Sequence, residues 1–503
     1  MTKLRLGLMS VLSLLLVFSV AEAFDFSELE NTVAETTLDN GLKVIVVERH
    51  EAPVASFVTV ANVGSVDDPK ENTGLAHMFE HMAFKGTTTL GSKDIKKELE
   101  LIAVEDSIFM ELRTERLKGI LADEARLAKL TEDYEAAREA SYELVVPNEF
   151  SETITRAGGV GLNAGTATDY TIYFYSLPSN KAELWFALES ERFLNPVLRE
   201  MYKERDVVAE ERRMRVESSP IGRMLEEFMG MAYKAHPYGI RGIGHMSDIQ
   251  NYSRKEAATF FEKYYGPSNL TVAIVGDVKA KDIFKLAKQY FGRIPYRPAP
   301  PRIATVEPEQ LGERRMEIID PSQPIYAVGW HIPEITHPDR DAIDAMLDYL
   351  AQGRTSLLYK NLIKEKKIAV QASGFSGFPG DKYPTMALLY AIPSQGHTND
   401  ECESEILAEV EKMKVEPISV EELDKIKARA NAGFINGLES NQGLAMQLAS
   451  YQTDFGDWKE LFRQMDNVNA VTVDDIQRVA NEYFTKKNRT VVLMNTEEEV
   501  PGS

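Results

Sequence analysis

Cysteine is almost absent from this 503-residue chain. Cys402 is the only one, so no intrachain disulfide can form and stability has to come from buried apolar cores. Long apolar runs are scarce too: after Leu6 to Val20, nothing approaches the roughly 18 continuous apolar residues of a membrane helix. Positive charge is in deficit, with 57 Lys and Arg against 78 Asp and Glu and a formal charge of −21. That balance argues against nucleic acid or anionic membrane as a partner and fits a protein that handles neutral or basic ligands. Histidine is rare as well, 8 in all, which sharpens the one place where two meet.

That place is His77-Met78-Phe79-Glu80-His81. The stretch from Gly74 to Phe84 reads as helix, in which residues four apart share a face with Cβ atoms roughly 5–6 Å apart. Both imidazoles can then reach one metal ion. Zinc suits them: it accepts imidazole nitrogen at about 2.0 Å and, in catalytic sites, keeps one position for water. Glu80, three residues after His77 on that face, is placed to take a proton from a water activated there. The order His-x-x-Glu-His is the signature of inverted zincins.

Lys3 and Arg5, the apolar run and Ala21-Glu22-Ala23 read as a secretory signal over residues 1–23, cleaved before Phe24. Strands are expected at Lys43–Glu48 and at 55–63. The polar loop 64–74 offers Asn72 and Thr73 as N-caps for the motif helix. Five prolines, at 295, 298, 300, 301 and 308, mark 294–308 as a linker between a domain at 24–293 and one at 309–503.

The two parts look alike. Residues 260–275 match 479–494 at an offset of 219, with Tyr265 and Asn269 against Phe484 and Asn488. Earlier landmarks, Lys85-Gly86-Thr87 and Gln352-Gly353-Arg354, stand 267 apart, so the first half carries about 48 extra residues. They fall within 92–149, rich in Glu, Lys, Arg, Leu and Ala and free of Gly and Pro from Ile120 to Val146. This is an inserted helical hairpin, read as a solvated projection, with a docking arm or a lid as the sharper alternative. In the repeat register His77, Glu80 and His81 face Asp344, Leu347 and Asp348, so the second half lacks the metal motif. The expected fold is α+β: two homologous halves, each a mostly antiparallel sheet packed with helices, one catalytic and one serving as a wall.

The segments Gly74 to Thr87, Leu162-Asn163-Ala164 with Thr168-Asp169-Tyr170-Thr171, Glu204 to Glu211, and His236-Pro237-Tyr238-Gly239 together resemble the pitrilysin and insulinase-type zinc metallopeptidases, in the short-subunit branch of mitochondrial processing peptidase and bacterial two-subunit homologues. The resemblance implies a zinc-dependent endopeptidase subunit with one Zn2+ per chain, held by His77, His81 and Glu211, with Glu80 catalytic and Glu204 supporting a ligand histidine. Glu204 and Glu211 are two helical turns apart and point the same way. Glu210 is the rival ligand, about 100° away around such a helix. The distance from His81 to Glu211, 130 residues, is longer than the family's usual spacing, and the inserted hairpin accounts for the excess.

By the same resemblance, Gly161, Leu162, Asn163 and Ala164, followed by alternating Thr166, Thr168, Tyr170 and Ile172, bind peptide substrate as an added strand. The family's substrate-holding Arg and Tyr, seven apart in the second half, fall on Ile363 and Val370, neither of which has a side-chain donor. Arg354 and Tyr359 lie nearby as substitutes. The implied partner is a homologous subunit bearing that Arg/Tyr pair in a hetero-oligomer, or a second copy in a homodimer, and the implied location is the bacterial periplasm. The alternative is a non-catalytic chamber or assembly protein of the same fold.

Overall fold

The computed structural model describes residues 26–497; the expected signal at 1–23 lies outside them. The first sheet holds β1 (Val33–Thr37), β2 (Lys43–Glu48), β3 (Val54–Ala61), β4 (Val160–Thr166), β5 (Thr171–Pro178) and β6 (Leu270–Gly276), in the order β1-β2-β6-β3-β5-β4. Only β2 and β6 run parallel. The second sheet holds β7 (Arg314–Asp320), β8 (Ile325–Ile332), β9 (Ala369–Phe378), β10 (Thr385–Pro393) and β11 (Arg489–Thr496), in the order β7-β11-β8-β10-β9. Its one parallel pair is β7 with β11.

Without β1 the two orders coincide strand for strand. The offset of 219 carries the helix Arg254–Tyr264 onto Val473–Tyr483 and the first residue of β6 onto that of β11. The offset of 267 sets the motif helix Leu75–Met82 inside Arg340–Ala351. The chain is thus two copies of one α+β unit.

Both faces of each sheet are covered, which is why β6 (LTVAIVG) is buried at every position instead of alternating. On the first sheet, Val44, Val46 and Phe57 meet helices of their own half. Ile45, Val47, Val58 and Val60, on the opposite face, are covered by Leu444, Leu448, Ala449 and Trp458 from the second half. The exchange is reciprocal: Met224, Phe228 and Ala232 of the helix Pro220–Ala232 lie on Ala327, Leu388, Val492 and Met494 of the second sheet. Gly329 permits that approach, since a Cβ there would come within 2.7 Å of the Phe228 ring. Between Arg293 and Arg314 the chain runs without helix or strand.

The insertion is a helical hairpin, Ile95–Arg116 and Glu124–Tyr142. It is not the free projection expected. Phe109, Leu112, Leu130 and Tyr134 close around Tyr202, on the helix Met201–Arg212 that carries Glu204 and Glu211. Glu98 and Arg199 form a buried ion pair at 2.8 Å. Arg199 also donates to the carbonyls of Lys85, Thr87 and Leu90 at 2.7, 2.8 and 2.9 Å. A buried pair is favourable when its remaining donors are satisfied in this way. The hairpin therefore braces both the turn after the motif helix and the helix facing it.

Candidate metal centre

The motif helix Leu75–Met82 buries Leu75, Ala76, Met78, Phe79 and Met82. His77, Glu80 and His81 are left on its partly exposed face. Its cap differs from expectation. Gly74 is the N-cap at φ 93°, a conformation that favours glycine, and Asp68 Oδ2 and Oδ1 accept from the N–H groups of Gly74 (2.7 Å) and Ala76 (2.9 Å). Because the chain turns left-handed at Gly74, Asn72 and Thr73 fall outside the first turn. Thr73 Oγ1 instead donates to Asp248 at 2.6 Å and accepts from the His245 N–H at 2.8 Å.

Glu211 stands near the end of Met201–Arg212, where the chain widens into a π-helical turn, Arg213–Glu217, a feature that recurs at functional sites. Its Oε2 lies 3.6 Å from His77 Nε2 and 3.4 Å from His81 Nε2. These separations lie at or beyond the long end of hydrogen-bond distances. They suit two ligands of one ion: bonds of about 2.0 Å at tetrahedral angles set donors about 3.3 Å apart. All three donor atoms fall within 4.8 Å of one another, the only such His/Cys/Asp/Glu group among the described residues. The imidazoles stand nearly perpendicular, with centroids 5.0 Å apart. The donor set and its spacing fit zinc.

Burial pulls the His77 pKa down, outweighing the attraction of Glu211, and so favours the neutral ring a metal requires. At His81 burial acts the same way, but Glu204 and Glu211 outweigh it and raise the pKa. Glu204 Oε2 is 3.4 Å from His81 Nδ1, and its Oε1 accepts from Lys85 Nζ at 2.5 Å. Burial resists ionisation of Glu204, yet His81 and Lys85 hold its pKa below the usual carboxylate range. His77 Nδ1, by contrast, is buried without a hydrogen-bond partner.

Glu210 is exposed and paired with Arg213 at 2.6 Å. In the second half the same register carries ion pairs: Asp348 meets Arg429, which the offset of 219 sets opposite Glu210, and Asp344 meets Arg340.

His77, Glu80, His81 and Glu211 line a cleft of about 900 Å3. Its further walls include Gly165 and Thr166 of β4, Thr168, Met229, Arg215, Arg241, and Phe378 and Pro379 of the second half. Gly161, Leu162, Asn163 and Ala164 lie on β4, the outermost strand, and the register slips between Val160 and Asn163. The cleft is lined by the next residues of that strand. The alternation expected from Thr166 to Ile172 is broken by a turn, closed by the Ala167 N–H donating to Tyr170 O at 2.9 Å. Thr168 donates to Pro379 O at 2.6 Å, and Asp169 accepts from Tyr238 (2.7 Å) and the Asp381 N–H (2.6 Å). Two segments of the sequence pattern, 168–171 and 236–239, thus tie the halves together at the cleft.

Ile363, Val370, Arg354 and Tyr359 are not among the cleft's lining residues. Val370 is exposed on β9, the matching edge of the second sheet. Sequence reasoning missed Arg215 and Arg241. Arg215 was within reach, four residues after Glu211, which it meets at 2.9 Å; Arg241 stands alone in a loop and gives no sequence signal.

Two family models match the chain: "Insulinase (Peptidase family M16)" over residues 43–113 and "Peptidase M16 inactive domain" over 251–430. The zinc protease PqqE of Helicobacter pylori is 31% identical over 467 residues, covering 91% of each chain. A mitochondrial-processing peptidase subunit beta of Lentinula edodes is 22% identical over 478 residues, 90% of this chain and 88% of that one. Among solved structures, a protease from Helicobacter pylori superposes with a TM-score of 0.76 at 30% identity, over 92% of this chain and 99% of that one. The periplasmic protease PqqL from Escherichia coli shares the fold at 18% identity with a TM-score of 0.68, over 93% of this chain and 48% of that one.

Proposed function

Because the chain belongs to peptidase family M16, the insulinase family, we propose that it is an exported zinc-dependent endopeptidase subunit that hydrolyses extended or unfolded peptides. The observation that carries this reading is the convergence of His77, His81 and Glu211 at ligand spacing beside Glu80. Zinc, when bound by these three residues, supplies Lewis acidity that acidifies a water and polarises a scissile carbonyl. Glu80 accepts the proton of the attacking water and hands it to the leaving amine nitrogen. Glu204 orients His81 through Nδ1. The free edge of β4, including Gly161 to Ala164, takes substrate as an added strand, so main-chain pairing selects extended chains over particular sequences.

With no arginine or tyrosine at 363 and 370, this chain relies on a homologous subunit to hold the substrate backbone. The test is a peptide-cleavage assay on the full chain, alone and with the homologous subunit that co-purifies from the exported compartment, with and without a chelator. Chelator-sensitive cleavage that rises with the partner supports the reading. Stoichiometric zinc with no cleavage of any peptide in either state supports the non-catalytic alternative.

A further inference from the structure

Arg241 lines the cleft together with His77, Glu80 and Glu211. The arginines at the end of the Glu211 helix are matched. Arg212 bridges Glu226 at 2.9 and 3.1 Å and donates to Gly244 O at 2.5 Å; Arg213 is held by Glu210 and Arg215 by Glu211. The Arg241 guanidinium, with five N–H donors, has no side-chain hydrogen bond and no ion pair among the described residues. Glu226, the carboxylate that attracts it, already bridges Arg212, and Arg212 repels it.

The group is partly buried, with its nitrogens still reached by solvent, so an incoming anion exchanges water for charge-assisted hydrogen bonds at a partly desolvated guanidinium. Its loop is fixed before any ligand arrives. Gly244 O is held by Arg212, the His245 N–H by Thr73 Oγ1, and a Cβ at Gly242 would stand 3.1 Å from Ser65 Oγ. A preset, unpaired guanidinium matches a carboxylate in bidentate fashion.

We infer that Arg241 is the carboxylate anchor of the cleft, and that peptides taken there carry a carboxylate, from an acidic side chain or a free C-terminus, close to the bond that is cut. The inference rests on the peptidase reading of the cleft. It runs opposite to the acidic balance of the whole chain, and the two are compatible: distant surface charge is screened beyond about 8 Å at physiological salt, whereas Arg241 acts at contact.

The test uses the zinc-loaded full chain carrying Glu80→Gln, so that peptides bind without turnover, and reads fluorescence anisotropy. The probes are three labelled peptide pools whose backgrounds are randomised without Asp or Glu: a central Glu with an amidated C-terminus, a central Gln with an amidated C-terminus, and a central Gln with a free carboxylate. At least one carboxylate-bearing pool is expected to bind about tenfold tighter than the neutral pool. Adding Arg241→Ala or Arg241→Glu should abolish that difference, leaving neutral-pool affinity and zinc stoichiometry unchanged. Which pool loses its advantage identifies the source of the carboxylate. Equal binding of all three pools, or a preference that survives Arg241→Glu, overturns the inference and leaves the peptidase reading standing. A zinc-loaded chain that binds no pool, either alone or with the homologous subunit, overturns both.

Discussion

Glu204 Oε2 lies 3.4 Å from His81 Nδ1, the ring nitrogen opposite the one that faces Glu211. His77 has no such support, its Nδ1 being without a partner. Carboxylate support on the ring side away from Glu211 therefore reaches His81 alone, through Glu204. Glu204→Ala should weaken zinc binding about 10–100-fold, measured by competition against a chromophoric chelator; an unchanged affinity would remove Glu204 from the site.

Glu80 acts on protons and holds no metal in this account. Glu80→Gln should keep the wild-type zinc content and melting temperature while peptide cleavage by the assembled enzyme falls about 10²–10⁴-fold or more. Loss of zinc together with activity would point to a different role.

Removing one member of a buried ion pair strands the other. Glu98→Ala leaves Arg199 without its carboxylate partner and should cost about 3–5 kcal/mol, measured by denaturant unfolding. Zinc affinity should fall with it, because Arg199 also holds the turn after the motif helix. A variant as stable as wild type would show that the hairpin does not brace the centre.

The halves cover each other's sheets, so cutting the chain at the proline-rich stretch 294–308 should not give two soluble pieces. Residues 24–293 and 309–503 should aggregate when expressed apart and form a complex when expressed together. Phe228→Ala, which empties the ring's place on the second sheet, should cost about 3–5 kcal/mol within a single unfolding transition. Two transitions would mean independent domains.

Burial, with the charges of Asp169 and Asp381, lifts the Asp454 carboxyl to about 7. Its folded pKa lies above the unfolded value, near 3.9. The folded state therefore holds the extra proton between about pH 4 and 7, and stability falls as pH rises through that window. Asp454→Asn should raise the melting temperature at pH 8, with the gain shrinking toward pH 4. A gain independent of pH would assign the effect to packing.

The repeat was legible because sequence offsets survive where side chains diverge: 219 aligns the final helix and strand of both halves. β2 was legible to the residue, as a short β-branched run after Asn40-Gly41. The motif helix was legible because His77 and His81 sit one turn apart on one face. Partners remote in sequence were not: Glu98 is 101 residues from Arg199, and the Asp68 cap lies across a loop whose left-handed turn no periodicity reveals. Nor can an apolar helix face announce which sheet it will cover, so the exchange of Pro220–Ala232 onto the second half had no local signal.

Metal analysis of the purified full chain by inductively coupled plasma mass spectrometry tests the central claim most directly. The account predicts about one zinc per chain, lost in a His77→Ala/His81→Ala double variant that keeps its circular dichroism spectrum. A well-folded wild-type chain without metal after incubation with zinc, or a double variant that retains it, would contradict the account.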